Sequence, residues 1–422
     1  MFTVSQHPSQ AFALVALCLL VTPTSGCGDD GSPPGPTDSG AADSAAGDGT
    51  VPPGDSTVPP GDSGMPRDGG TTEDGATPVD AGPDTGTPMG AYCTDDSGCD
   101  DGSSCTTDTC TDGVCIHSAS GDCPWPAEST SDATNLTSVG GSTFDNEFDS
   151  DLSGALWNPV HRTLWLCRNN GPSAVWAVVE DGAGGYRIDT RGGSAAAWED
   201  FADAEGVAQA DFDDDGTLYV VSESPAAITE YDLSVGGTKT IVNQWILRAE
   251  IAGSGSEGLT FVPDEFLSAQ GFVDASGTPY VSAGGMGGLF FVGHQSAGQL
   301  YVFDMNRTTG GYTFVGEYQT GGDETAGLEF DRSTGQLFIW HDSSIDQIEV
   351  VRLSSTVAAG GRRMDTIVTY DGPELITLMS NNIEGIAVKP IEDCTAAGKR
   401  DLFLTIDGGR IWSLFLYSDF PC

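Results

Sequence analysis

The stretch SEGLTF (256–261) is one of five related motifs that divide the C-terminal two-thirds of this 422-residue chain. Each motif is short and largely apolar, and each keeps a glycine at the same place. The five motifs are LSGALW (152–157), AEGVA (204–208), SEGLTF (256–261), TAGLEF (325–330) and IEGIAV (383–388). Their shared glycines lie at 154, 206, 258, 327 and 385, so the intervals are 52, 52, 69 and 58 residues. Such spacing is typical of a repeat made of several strands.

Further strand-like runs follow each motif. The second runs are TLWLCRNN (163–170), TLYVVSES (217–224), TPYVSAGG (278–285), QLFIWHDS (336–343) and DLFLTIDG (401–408). The third runs are AVWAVVE (174–180), AITEYDL (227–233), QLYVFDM (299–305), QIEVVRL (347–353) and RIWSLFL (410–416). Fourth runs follow in four of the repeats, as YRIDTRG (186–192), IVNQWIL (241–247), YTFVGEY (312–318) and MDTIVTY (364–370).

The fifth repeat reaches the end of the chain at Cys422 before a fourth strand can form. Residues 137–148, which precede the first motif, are predicted to supply that strand, because a propeller leaves no open sheet edge when its N-terminal strand completes the last blade. The sequence therefore predicts an all-β fold, a five-bladed β-propeller over residues 137–422, or a six-bladed one if the third interval contains an additional blade.

The order of these motifs resembles that of the SdiA-regulated family of bacterial propellers. The resemblance covers about residues 151–417 and rests on DLSGALWNP with TLWLCRNN, then EGVA, EGLTF, GLEFDRSTGQLFIWHDSS, and EGIAV with LFLTIDG. Similar Glu-Gly motifs occur in the esterase-like phytase and gluconolactonase propellers. The resemblance implies an extracytoplasmic propeller that binds calcium and has no established reaction.

The chain is strongly acidic, with 62 Asp and Glu residues against 16 Lys and Arg and a formal charge of −46. No basic surface could neutralise phosphates, so nucleic acid is excluded as a partner. The same charge favours divalent cations, although it is also typical of acidic secreted proteins that bind none.

The N-terminus resembles the signal of a bacterial lipoprotein. An eleven-residue apolar run (11–21), too short to span a bilayer, is followed by TPTSGC (22–27). The resemblance implies a signal peptide over residues 1–26 and lipidation of Cys27, which would make the lipid the only contact with a membrane. Gly28 rather than Asp after that cysteine favours the outer membrane or surface of a Gram-negative cell. The alternative is an ordinary cleaved signal.

Residues 27–91 are predicted to be a disordered linker, since they are rich in Gly and Pro and contain too little apolar area to fold. Residues 92–124 hold six cysteines, predicted to form three disulfides, with zinc binding as the alternative. This segment resembles the Cys/Asp-rich modules of myxobacterial surface proteins. Later in the chain a Cys394–Cys422 bridge is predicted, and Cys167 reads as a buried free thiol. The six cysteines of the module are Cys93, Cys99, Cys105, Cys110, Cys115 and Cys123.

Equivalent positions of the five motifs should form a ring at one mouth of the channel, because the first strand of every blade lines it. These positions are Ser153, Glu205, Glu257, Ala326 and Glu384. The ends of the second strands add Asn169, Glu223, Asp342 and Asp407. Converging carboxylates repel one another unless a cation or protons intervene, so the ring predicts a calcium site. The alternative is that each Glu accepts hydrogen bonds from backbone amides of its own blade.

Two other candidate sites are weaker. Asp211, Asp213 and Asp215 match the first half of an EF-hand loop, but a tight turn between two strands explains them better. His341 next to Asp342 is the most plausible acid–base pair for catalysis, and a packed core histidine is the alternative.

Three functions remain open at this stage. The first is a lipid-anchored, calcium-associated propeller that binds an unidentified small molecule or protein at the cell envelope. The second is a metal-dependent hydrolase of lactones or esters in which Glu205, Glu257 and Glu384 hold the ion. The third is a structural scaffold whose ring is saturated by internal hydrogen bonds.

Overall fold

A computed structural model describes most of the chain from Cys93 onwards. The described residues are 93–99, 105–111, 113–119, 122–140, 148, 151–189, 197–235, 238–247, 250–251, 255–296, 298–342, 346–375, 382–408 and 410–422. The predicted signal peptide, Cys27 and the predicted linker lie outside them. No helix within these ranges has the length and apolar character needed to cross a membrane.

The described residues confirm the predicted all-β propeller class. Their strands form five antiparallel groups, here called units, and a parallel pairing of residues 318–319 with 362–363 joins units 3 and 4 into one sheet. Unit 1 contains Leu152–Asn158, Thr163–Arg168, Ala174–Glu180, Tyr186–Ile188 and the short Trp198–Glu199. Unit 2 contains Ala204–Ala208, Thr217–Ser222, Ala227–Val235 and Thr238–Ile246. Unit 3 contains Ser256–Pro263, Gly288–His294, Gln299–Met305 and Tyr312–Gln319. Unit 4 contains Gly327–Asp331, Gln336–His341, Gln347–Ala358 and Gly361–Asp371. Unit 5 contains Ile383–Val388, Lys399–Ile406, Leu414–Pro421 and Thr134–Asn135.

The first strand of each unit, here called its inner strand, contacts the inner strands of the two neighbouring units, and the contacts close into a ring. The five motif glycines make this close approach possible. A Cβ at Gly258 would lie 2.7 Å from the carbonyl oxygen of Ala326 and 2.8 Å from the amide nitrogen of Leu328 in the next unit. A Cβ would approach the backbone of the following unit equally closely at each of the other motif glycines, Gly154, Gly206, Gly327 and Gly385. The glycine in each motif is therefore required by the packing of backbone against backbone.

Apolar side chains fill the five spaces between adjacent units. For example, Trp165 of unit 1 packs in one cluster with Leu218 of unit 2, and Phe291 of unit 3 shares another with Ile339 of unit 4. The cluster between units 5 and 1 includes Phe403 and Trp157, whose rings stack 5.7 Å apart. Because both faces of each sheet are covered, nearly every residue of the inner and second strands is buried, unlike strands with one face in water.

The prediction that residues 137–148 complete the last unit is wrong in position. The strand that pairs with Leu414–Pro421 is Thr134–Asn135, and Thr137–Gly140 is a 3-10 helix. The reason lies in the hydrogen bonds: the Asn135 side chain accepts from the Thr137 amide, which starts the turn, while the Thr137 hydroxyl accepts from the Leu414 amide. Phe148 is buried against Trp176 without being part of a described strand.

The run TPYVSAGG (278–285) is not the second strand of unit 3, whose place Gly288–His294 takes. Asp304 accepts hydrogen bonds from the amides of Ala283 and Gly284 and from the Tyr280 hydroxyl, so these groups are unavailable for a ladder. This segment and the helix Asp264–Ala269 account for the long third interval. In unit 5 the third strand likewise starts later than predicted, because Arg410–Trp412 is a 3-10 helix.

The cysteine-rich segment contains the predicted kind of framework. Cys93–Cys110, Cys105–Cys123 and the C-terminal Cys394–Cys422 are disulfides, and Cys99 is also disulfide-bonded. The Cys115 side chain lies outside the described residues. The segment holds a 3-10 helix (Asp96–Gly98), a hairpin (Thr106–Thr111 with Val114–Ala119) and the short strand Asp122–Cys123, which pairs with Gly361–Asp371 of unit 4. Cys167 is free and buried, as predicted.

Candidate cation site at the acidic mouth

A β-bulge at the motif turns the ring residues toward one end of the channel. In units 1, 2, 3 and 5 the pairing of the inner strand shifts register next to the motif glycine. A bulge leaves a residue outside the ladder and changes the direction of its side chain. The residues passed over include Ser153, Glu205, Glu257 and Glu384. In unit 4, Ala326 immediately precedes the inner strand. We call this end of the channel the acidic mouth.

The acidic mouth brings together the carboxylates that the motifs predicted. Glu205 and Glu257 are 4% and 6% exposed, and Glu384 is partly buried. Glu257 interacts electrostatically with both of the others and with Glu223. The ends of the second strands of units 1, 4 and 5 contribute as expected, since Asn169 hydrogen-bonds Glu205, and Asp407 and Asp342 both act on Glu384.

These carboxyl groups have abnormal proton affinities because they are buried beside one another. Burial, then the charges of Glu205 and Glu384, raise the pKa of Glu257 to about 10. Burial and the charge of Asp203 raise the pKa of Glu205 to about 8, although hydrogen bonds from Asn169 and Ser153 oppose the shift. Burial and Asp407 hold the pKa of Glu384 well above its usual value. The ring thus has excess negative charge that only protons or a cation can balance.

Several buried oxygens at this end have no hydrogen-bond partner among the described residues. They are Asn169 Oδ1, Ser256 Oγ, Glu384 Oε2 and Asp407 Oδ1. A neutral donor from the protein would normally satisfy such atoms, because an unpaired buried polar group costs about 1–3 kcal/mol. Their chemistry is that of ligands for a hard cation: carboxylate, amide and hydroxyl oxygens. The residues present therefore fit calcium, with Glu205, Glu257, Glu384 and Asn169 as the groups that would hold it.

Residues that the sequence reasoning missed complete the mouth. One carboxylate oxygen from each of Asp203, Glu205 and Glu223 lies within 4.8 Å of the other two. Asn382 donates from Nδ2 to Glu384 Oε1 at 2.7 Å and to Asp407 Oδ2 at 2.9 Å. A signal for these residues existed, because each stands two positions before the ring position of its motif. The five equivalents are Asp151, Asp203, Gly255, Glu324 and Asn382.

The local backbone explains why that position matters. Asp151, Asp203 and Gly255 all have positive φ, at 63°, 45° and 126°. A residue with positive φ at the entry to a strand changes the direction of the chain there, and it leads directly into the bulge. Asp151 also hydrogen-bonds Asp407, and burial together with this neighbour raises the pKa of Asp407 to about 7.

The Asp211, Asp213 and Asp215 segment forms a turn between the first two strands of unit 2. Asp211 Oδ1 accepts from the Asp213 amide at 3.0 Å, and the neighbouring Asp214 accepts from the Gly216 and Thr217 amides. The structure does not bring these three aspartates to the acidic mouth, since they follow the opposite end of their inner strand.

His341 belongs to a buried network inside unit 4. Its Nδ1 lies 2.8 Å from the carbonyl oxygen of Glu324, and its Nε2 lies 3.1 Å from Glu349 Oε2. Arg363 and Thr366 donate to the other oxygen of Glu349. Both ring nitrogens of His341 therefore have partners other than Asp342, which faces the group around Glu384. This is the arrangement of a packed histidine.

Comparisons with known proteins add no assignment. No family model matches the chain, and no curated protein matches it. Among solved structures, the chain is similar to the crystal structure of a functionally unknown protein from Desulfotomaculum acetoxidans DSM 771, with 12% sequence identity and a TM-score of 0.33. That similarity covers 64% of this chain and 70% of the other.

Proposed function

We propose that this protein is a lipid-anchored, extracytoplasmic binding module in which a calcium ion at the acidic mouth of the propeller forms part of the binding surface. The observation that carries the proposal is the set of buried oxygens without hydrogen-bond partners among the described residues, contributed by units 1, 3 and 5, beside the buried carboxyl groups of Glu205 and Glu257. A purely structural ring would pair these oxygens with backbone amides, as buried polar groups normally are.

Calcium suits this mouth better than smaller cations do. It accepts six to eight oxygen ligands at about 2.3–2.6 Å with flexible geometry, whereas magnesium demands a tight octahedron. The ion would neutralise the ring and offer its outward positions to an oxygen of the ligand. Partly exposed carboxyls at the rim, those of Asp203, Glu223 and Glu324, would then favour a ligand with hydroxyl or cationic groups.

Calcium titration of the melting temperature tests the site. The melting temperature of the wild-type protein should rise with millimolar calcium and fall back with chelator, because an ion that binds only the folded state stabilises it. Glu384→Gln should remove most of the rise. Asp211→Asn is the matched control, since it removes an acidic side chain from the turn of unit 2, and it should respond like the wild type. A wild-type melting temperature that does not respond to calcium would refute the proposal.

A panel of lactones and esters separates a binding module from a hydrolase. The packing of His341 away from the acidic mouth favours binding, because the most plausible acid–base residue is occupied elsewhere. We expect no calcium-dependent hydrolysis above background. Turnover that requires calcium and disappears in Glu257→Gln would contradict the binding module and favour the hydrolase.

The membrane anchor is proposed from the sequence around Cys27. Cys27→Ser should move the protein from the membrane fraction to the soluble fraction, because lipid attachment requires that thiol. Cys18→Ser, in the apolar run of the signal, is the control and should stay in the membrane fraction. Retention of Cys27→Ser in the membrane would contradict the lipoprotein assignment.

A further inference from the structure

A cavity of about 460 Å³ lies at the end of the inner strands that is opposite to the acidic mouth. Its wall includes Trp157, Phe330 and Val388, which stand at or near the C-terminal ends of the inner strands of units 1, 4 and 5. The acidic mouth is built at the N-terminal ends of the same strands, about 15 Å away at the usual rise per residue. Cavities of this volume are typical of small-molecule sites.

Two polar side chains in this cavity lack the partners that buried groups normally have. Glu329 is only 3% exposed, and its Oε2 has no hydrogen-bond partner among the described residues. Arg332 Nε is also buried and, within the same part of the chain, unpartnered. Both residues line the cavity.

Arg332 is held in place without an ion pair of its own among the described residues. Its guanidinium lies 3.7 Å from the centre of the Phe212 ring, and its Nη2 donates to the carbonyl oxygen of Gln209 at 2.6 Å. The ring and the carbonyl fix the position of this cation. The carboxyl groups of Glu329, Asp211 and Glu265 interact with it electrostatically, but none of them forms an ion pair with it among the described residues. Burial lowers the pKa of Arg332 to about 10, which leaves it charged at neutral pH.

Two other carboxylates around the cavity have cationic partners, and a third, Glu392, is exposed to solvent. Asp331 pairs with Arg400 at 2.6 Å, and both side chains are almost fully buried. Asp393 pairs with Arg162 at 3.1 Å. Burial and the charge of Asp331 raise the pKa of Glu329 well above its usual value, although the charges of Arg332 and Arg400 oppose the shift. Of the two arginines that line the cavity, Arg162 is paired, whereas Arg332 has no ion-pair partner among the described residues.

We propose that this cavity is a second ligand site, independent of calcium, that binds a flat apolar molecule carrying a carboxylate. The carboxylate would accept a hydrogen bond from Arg332 Nε, and the unpartnered Oε2 of Glu329, protonated in the complex, would donate a second. The apolar body would lie against the wall formed by Trp157, Phe330 and Val388. Hydrogen bonds between a guanidinium and a carboxylate are charge-assisted and stronger than neutral ones.

The experiment uses the exported protein without its signal, with naphthalene-2-carboxylate as the probe and neutral 2-naphthamide as its matched control. Binding is measured by calorimetry in calcium and again in chelator. We expect the carboxylate to bind wild type at least about tenfold more tightly than the amide does, in both conditions. Arg332→Gln should weaken carboxylate binding about tenfold or more and change amide binding by less than about threefold.

Control variants keep the test decisive. Arg187→Gln removes an exposed arginine outside the cavity and should bind both probes like the wild type. Arg332→Lys keeps the charge and should fall between wild type and Arg332→Gln, and it serves if Arg332→Gln does not fold. The proposal is overturned if the wild type does not distinguish the two probes, if the Arg332 and Arg187 variants lose affinity equally, or if chelator abolishes binding of the carboxylate.

Discussion

Replacing Glu257 by glutamine should stabilise the metal-free protein and, at the same time, remove most of its response to calcium. Burial and the charges of Glu205 and Glu384 raise the pKa of Glu257 to about 10, from 4.5 for an ordinary glutamate. Glutamine has nearly the same shape and carries no charge at any pH. The substitution therefore removes the cost of a buried acid while keeping the packing.

The sign and size of this stability change follow from proton linkage. Below the unfolded pKa of 4.5, Glu257 is protonated in both states and costs nothing. As the pH rises further, the unfolded chain ionises while the folded one stays protonated, so stability falls by about 1.4 kcal/mol per pH unit up to the folded pKa. At about pH 8 the accumulated loss is on the order of 5 kcal/mol, which Glu257→Gln should recover in large part.

Urea unfolding followed by tryptophan fluorescence measures this change. In chelator, the unfolding free energy of the wild type should decrease from about pH 5 to about pH 8, and that of Glu257→Gln should decrease much less. With calcium at about one hundred times its dissociation constant, the wild type should gain about 2.7 kcal/mol and the variant far less.

Glu199→Gln, at an exposed carboxylate, is the control and should change neither slope nor calcium response. The reasoning would be refuted by a Glu257→Gln protein that is less stable than the wild type in chelator at the higher pH. It would also be refuted by identical pH slopes for the two proteins.

Other substitutions test the packing around the channel. Gly258→Ala should lower the free energy of unfolding in urea by roughly 1–3 kcal/mol, because its methyl group would clash with the backbone of the next unit. Gly311→Ala, at an open turn, is the control and should lower it by less than about 0.5 kcal/mol. Cys422→Ser opens the C-terminal disulfide and should lower stability by about 2–4 kcal/mol. Reductant should then destabilise this variant less than the wild type, because only the disulfides of the cysteine-rich segment remain to be broken. Burial alone would raise the pKa of Glu349, but hydrogen bonds, led by the one from His341, lower it to about 2. This pair therefore stabilises the fold above about pH 4.5, and the effect is lost as the pH falls toward 2. His341→Gln should therefore cost about 1–3 kcal/mol near neutral pH, where it removes a hydrogen bond to the ionised Glu349, and less in acid, and an equal loss at every pH would contradict this account.

At the acidic mouth, the sequence predicts which residues meet but not their proton affinities. Glu205, Glu257 and Glu384 could be found from the sequence because the same position recurs in each motif, and equivalent positions of a repeat must lie on one ring. Asp203 and Asn382 could have been found by the same rule, applied two residues earlier. The raised pKa values could not, because they depend on how closely the ring closes.

By itself, the sequence determined the all-β class, the five motifs and the sign of the charge at the mouth, because apolar runs, turn residues and repeated glycines act locally. Only the tertiary structure decided that Thr134–Asn135 closes unit 5, that residues 278–285 form a loop held by Asp304, and that His341 turns to Glu349. The same holds for the cavity around Glu329 and Arg332, which combines residues of four units. Such contacts join residues up to about 290 positions apart in the chain, and a local pattern carries no record of which distant groups will compete for the same hydrogen bond.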